Sequence, residues 1–236
     1  MRNSTLFLGA LAIGGAAGLV SLFERPVAKA VGLPPPPDVL GESRQRIILC
    51  FGDSLSAETK GAPAYWRYIK PSGTTLVNGI AKESKGYGGQ QVAAILKASK
   101  AIVAKVHPTD VVFLAGVNDI ASSRTAAKVI ADLQAAWDYY HAQGARVIAV
   151  KLTPWFGYTK YFGAGKKTAQ PFREVTNAVN AYLDSQRGKT GGPEVVVETA
   201  SLGDSNGALL KEYSAGGLHM ANAGKKALAA LVAKAL

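Results

Sequence analysis

Arg46-Ile47-Ile48-Leu49-Cys50-Phe51-Gly52-Asp53-Ser54-Leu55-Ser56 is the stretch that decides the fold. A continuous apolar run of strand length, suited to a strand buried on both faces, empties into a glycine and a group of small polar residues. Similar runs recur at Asp110-Val111-Val112-Phe113-Leu114, Arg146-Val147-Ile148-Ala149-Val150 and Glu194-Val195-Val196-Val197. Thr74-Thr75-Leu76-Val77 is a shorter, fainter candidate. Between them the spacing predicts helices from Gln90 to about Lys105, around Val129, Leu133 and Trp137, from Glu174 to about Gln186, and through Ala227, Leu228, Leu231 and Val232. Strands alternating with helices imply right-handed crossovers. The expected architecture is therefore a three-layer α/β/α sandwich with a mainly parallel five-stranded sheet, plus an N-terminal hydrophobic helix. No internal repeat is present.

The chain has 236 residues, 48% of them apolar and 18% charged, which suits one domain with a real core and excludes disorder. A single cysteine and three histidines exclude a disulfide scaffold and a soft-ligand zinc cluster. The net charge of +11 favours anionic surfaces without selecting one. Residues Ser4–Phe23 carry no charge, long enough as a helix to cross ~30 Å of hydrocarbon. Val27-Ala28-Lys29-Ala30 also offers a small-x-small cleavage pattern, so residues 1–30 read as a signal peptide or a membrane anchor, with export in either case. Four prolines, Pro34 to Pro37, make residues 31–42 an extended linker, and the folded domain spans 43–236.

In a sheet of this kind ligands gather beyond the carboxyl ends of the strands. Gly52-Asp53-Ser54-Leu55-Ser56 follows the first strand, Gly86-Tyr87-Gly88-Gly89 follows the faint second one, Gly116-Val117-Asn118-Asp119 follows the third, and Gly217-Leu218-His219 precedes the last helix. One rim thus collects a hydroxyl, a glycine amide, a side-chain amide and an imidazole. Ser54 attacks a carbonyl only if a base removes its proton, and a neutral His219 can do so. The resulting oxyanion needs fixed donors, which the N–H of Ser54, the N–H of Gly89 and the amide of Asn118 supply.

These four blocks, in this order and spacing, resemble those of the SGNH, or GDSL-type, hydrolase superfamily, over roughly residues 46 to 236. The resemblance implies that Ser54 is the nucleophile, His219 the general base, and Gly89 and Asn118 the oxyanion partners. It implies hydrolysis of esters of lipids, acylated sugars or aryl alcohols, or of thioesters, with no metal and no organic cofactor. The Gly-x-Ser-x-Gly elbow of α/β-hydrolases is absent around Ser54. One departure matters: the family places an aspartate three residues before the histidine, where this chain has Gly216. Met220 likewise replaces the proline that commonly follows the histidine. Three outcomes stay open: a backbone carbonyl orients His219, an acid is recruited from Glu212, Asp204 or Glu198, or the protein is a weak or inactive binder of carbohydrate or envelope.

Asp53 and Asp119 read as loop-holding groups, His107 and His141 as structural, and Cys50 as an inert small hydrophobe. The segment Trp155 to Arg173 interleaves six aromatic residues with Lys160, Lys166, Lys167 and Arg173. It is expected to rise over the rim, with Trp155, Tyr158 and Tyr161 contacting substrate. Gly163-Ala164-Gly165-Lys166-Lys167-Thr168 lacks the first glycine of a phosphate loop, since position 160 is lysine. The expected partner is an acyl-ester small molecule or acylated glycan, with an anionic membrane or envelope surface as a further contact; nucleic acid is disfavoured.

Overall fold

The computed structural model describes residues 46–59, 61–69, 74–76 and 87–236. The N-terminal apolar segment, the proline-rich linker and Gly86 lie outside the described residues. No described helix is long and apolar enough to cross a membrane.

In chain order the elements are β1 (Arg46–Gly52), β2 (Thr74–Leu76), α1 (Val92–Val106), β3 (Asp110–Leu114), α2 (Val117–Ala121), α3 (Ala126–Ala142), β4 (Arg146–Val150), α4 (Gln170–Gln186), β5 (Val195–Val197), β6 (Ser214–Ala215), β7 (His219–Met220) and α5 (Asn222–Ala233). β1 to β5 form one parallel sheet in the order β2-β1-β3-β4-β5, the five-stranded α/β architecture that the apolar runs predict. Helix α4 begins four residues before Glu174, because Pro171 stands in its first turn, where a missing N–H costs nothing.

The two faces of β1 are covered differently. Phe51 stacks on Tyr140 of α3 with ring centroids 6.3 Å apart, and its register partner Phe113 meets the same ring edge-on at 5.6 Å. On this side α1, α3 and α4 lie next to one another, with Trp137 stacked on Tyr182 across α3 and α4. Side chains alternate along a strand, so Cys50 points the other way. It reaches Tyr65 in a 3-10 turn over Tyr65–Tyr68, against which α5 packs. Burial pushes the Cys50 thiol up to about 12, so it is an inert core group.

The amino ends of three strands are tied together. Buried Asp110 accepts two hydrogen bonds of 2.8 Å from Arg46 of β1 and lies 3.4 Å from Arg146 of β4. At the opposite rim the connections part company: β1 leads to β2 on one side, while β3, β4 and β5 extend on the other. That reversal falls between the carboxyl ends of β1 and β3, the place where sheets of this kind take their ligands.

Candidate active site

The turn after β1 is built around a close approach. A side chain at Gly52 would place its Cβ 2.1 Å from Leu114 O and 2.2 Å from Ser56 Oγ, so only glycine lets β1 finish against β3. The Asp53 N–H then donates to Leu114 O at 3.3 Å, and the Asp53 carboxylate accepts the Leu55 N–H at 2.9 Å. Further turns, from Ser56 N–H to Asp53 O and from Ala57 N–H to Ser54 O, hold Ser54 at the apex, half-buried.

His219 arrives from the other end of the chain on a two-stranded ribbon, β6 paired antiparallel with β7. Its turn requires Gly216 and Gly217 at φ of 84° and 90°, where an L side chain is strained. Gly217 also packs directly on the backbone of Gly157 and Tyr158; a Cβ there would stand 2.2 Å from Gly157 O. The ribbon delivers His219 Nε2 to 3.0 Å from Ser54 Oγ, a separation of 165 positions in the sequence. Such a distance lets a neutral imidazole with its proton on Nδ1 accept the serine proton.

The two further donors stand beside one another. Gly89 has φ of 75° and open space where a Cβ would sit, so its glycine is required by backbone conformation and leaves its surroundings unobstructed. Asn118, in the first turn of α2, donates one amide hydrogen to Gln90 O at 2.9 Å, which leaves the second hydrogen of the NH₂ group for another acceptor. The neighbouring Asp119 accepts the Val92 N–H at the start of α1 at 3.0 Å and pairs with Arg124. Gln90 and Asp119 thereby lock the glycine block to the Asn118 helix. Asp119 has the loop-holding role that its position in the sequence predicts.

Around the pair the charges are unusual. His219 titrates below the ordinary imidazole value, first because it is partly buried and second because Lys225 lies nearby. Among the described residues neither a carboxylate nor a backbone carbonyl hydrogen-bonds its Nδ1. Asp204 accepts the N–H groups of Asn206 and Ala208, Glu198 pairs with Lys151 and Arg187, and exposed Glu212 makes no ion pair among the described residues. The turn of the ribbon packs on the backbone of Gly157 and Tyr158.

Lys225 escapes a reading of motifs alone. Its side chain is fully buried, and Nζ donates to Leu55 O at 2.8 Å and Ala57 O at 2.7 Å. One signal was present in the sequence: Lys225, Leu228, Ala229 and Val232 share a helical stripe, so a lysine occupies an apolar face.

The aromatic segment divides. Trp155 is 1% exposed, at the centre of Phe156, Tyr161, Phe162 and Phe172, and its Nε1 donates to Thr176 Oγ1 at 3.3 Å. The expectation that Trp155 contacts substrate is therefore corrected: burying so large a ring in the core outweighs presenting it at the rim. Tyr158 and Tyr161 are half-buried and stack at 6.5 Å. Tyr161 donates to Ala121 O at the end of α2, and Tyr158 adjoins the turn that carries His219. Lys167 and Arg173 sit over the rings of Tyr161 and Phe156. No group of His, Cys, Asp and Glu among the described residues is arranged to hold a metal ion.

A parallel sheet that gathers serine, a glycine amide, asparagine and histidine at the reversal of its strand order defines an SGNH-type hydrolase. The model of the GDSL-like lipase/acylhydrolase family matches residues 50–227, and the chain belongs to that family. Similar solved structures include a GDSL-like lipase from Bacteroides thetaiotaomicron VPI-5482, 19% identical over 81% of this chain and 87% of that one, with a TM-score of 0.58. The lipase/acylhydrolase from Enterococcus faecalis is 20% identical over 81% of this chain and 95% of that one, with a TM-score of 0.56. An acetyl xylan esterase is 14% identical over 80% of this chain and 99% of that one, with a TM-score of 0.59. At these identities the likeness speaks for the fold. No curated protein sequence matches the chain.

Proposed function

We propose that the protein is an exported serine esterase that removes short acyl groups, acetyl foremost, from a glycan or related envelope substrate. The observation that carries this reading is the 3.0 Å contact between Ser54 Oγ and His219 Nε2 at the strand-order reversal. Ser54 attacks the acyl carbon while His219 takes its proton. The N–H groups of Ser54 and Gly89 and the free hydrogen of the Asn118 amide receive the oxyanion. His219 then returns the proton to the leaving alcohol, and water, deprotonated by the same imidazole, releases the acid from the acyl-enzyme. The pair works as a dyad, with the imidazole held by its ribbon. Family membership supports ester hydrolysis, and the fold shared with an acetyl xylan esterase supports a small acyl group on a sugar. The apolar segment 4–23 and the net charge of +11 support export and contact with an anionic surface.

Burst kinetics with an activated acetyl ester test the chemistry: the wild type shows an acyl-enzyme burst that Ser54→Ala abolishes. A screen of acetylated sugars against lysophospholipids and acyl-thioesters tests the substrate class, and turnover of the lipids alone would reject the glycan. Identical traces for wild type and Ser54→Ala would instead favour the inactive binding protein that Gly216, in place of the family's acid, suggests. Fractionation of cells carrying the full chain or a chain without residues 1–30 tests export.

A further inference from the structure

We infer that Lys225 is a positioning residue of the reaction: from inside α5 it clamps the Ser54 turn and sets a cation close to the histidine ribbon. The inference rests on the esterase reading above. A lysine is seldom fully buried without partners, and here both partners belong to one short loop. Nζ donates to Leu55 O and Ala57 O, the carbonyls that flank Ser56 immediately after Ser54. Helix α5 begins three residues after His219, so one side chain fixes the serine turn relative to the element that follows the histidine ribbon.

The charge acts in the same place. On the loop, buried Asp53 and partly exposed Glu58 face Lys225; Glu58 is itself paired with Arg67 of the 3-10 turn at 2.6 Å. That turn also brings Tyr65 and Tyr68, the turn before β6 brings exposed Lys211 and Glu212 with Tyr213, and β7 brings His219. Asp53 makes no ion pair with the lysine and has one carboxylate oxygen without a hydrogen-bond partner among the described residues. Burial pushes Asp53 up to about 7 and, against the pull of Asp53 and Glu58, brings Lys225 down to about 8. A neutral amine still carries two hydrogens, enough for both carbonyls, so the clamp survives loss of the proton. A cation close to His219 opposes protonation of the imidazole. In a site without the acid that would stabilise imidazolium, this keeps the base ready at lower pH.

The test uses the full chain, an activated acetyl ester and the pH dependence of kcat/KM. Lys225→Met is expected to lower kcat about tenfold to hundredfold with KM within about twofold, as a displaced nucleophile does. It also moves the acidic limb to higher pH, short of the ordinary imidazole value because burial remains. Lys225→Gln keeps a donor but no charge, so it recovers part of kcat while its limb stays displaced. A purely structural lysine would leave the limb where it is; unmoved limbs in both variants, or unchanged kcat in Lys225→Met, would overturn the inference. Should Lys225→Met not fold, NMR of labelled lysine and histidine in the wild type decides. One lysine titrating near 8 is expected. Finding His219 at or above the ordinary imidazole value would overturn the inference, since a cation close to the ring lowers that value. If hydrolysis survives Ser54→Ala, the esterase reading fails instead, and the NMR titration still reports on Lys225 and His219.

Discussion

At the scale of single residues, one amide of Asn118 would serve two purposes in the proposed reaction. Its bond to Gln90 O fixes the side chain before substrate arrives, so the second hydrogen needs no reorganisation to meet an oxyanion. Asn118→Ala is therefore expected to lower kcat by ~10²–10³ with little change in KM, measured by steady-state hydrolysis of an acetyl ester. In the proposed reaction His219 sets the pH dependence. Its folded value is depressed, so the imidazole stays neutral to lower pH than a free histidine would, and kcat/KM should fall only as pH drops through that depressed value. A pH-rate profile whose acidic limb lies below ~6.5 is the expected result. Gly216 belongs to this scale as well: its φ of 84° suits glycine, and an aspartate there would be strained.

At the scale of elements, the segment after β4 is a packed cap whose partly exposed tyrosines adjoin the histidine turn. Trp155 anchors it through ring contacts with Phe156, Phe162 and Phe172 at 5.1, 5.1 and 6.3 Å. Trp155→Ala should cost roughly 3–5 kcal/mol, read from the denaturant midpoint, because the surrounding rings cannot all collapse into the space. Trp155→Phe should be milder and leave KM unchanged, whereas Tyr158→Ala should raise KM if that ring meets substrate. The segment was visible in the sequence as a cluster of aromatics. Which rings face inward was not, since it depends on contacts with α4, Thr176 among them, that no local pattern encodes.

At the scale of the whole molecule, the two ends of the sheet have different duties. The amino ends carry the Arg46–Asp110–Arg146 tie, far from the chemistry, and the carboxyl ends carry the site. Burial alone would raise the Asp110 carboxyl, but hydrogen bonds from Arg46 and Thr109 outweigh it and bring the value below the usual 3.8. This contribution is complete above that usual value and is lost as pH falls through the lowered one. Asp110→Ala should destabilise the protein by about 2–3 kcal/mol, the low end for a broken buried pair because both arginines reach solvent. It should also flatten the acid branch of stability against pH, both measured by urea unfolding, with kcat unaffected.

The sequence by itself determined the α/β class, the strands and the four blocks, because continuous apolar runs, glycine-bearing turns and small polar residues at strand ends are local signals. It also marked Ser54, Gly89, Asn118 and His219 as candidate site residues, each by its residue type and block. Only the tertiary structure decided that Ser54 and His219 meet, that Gln90 and Asp119 align the amides, and that Trp155 turns inward. It alone showed that the cation beside the Ser54–His219 pair is Lys225, since proximity between residues far apart in the chain follows from how the crossovers stack and not from any neighbouring residue.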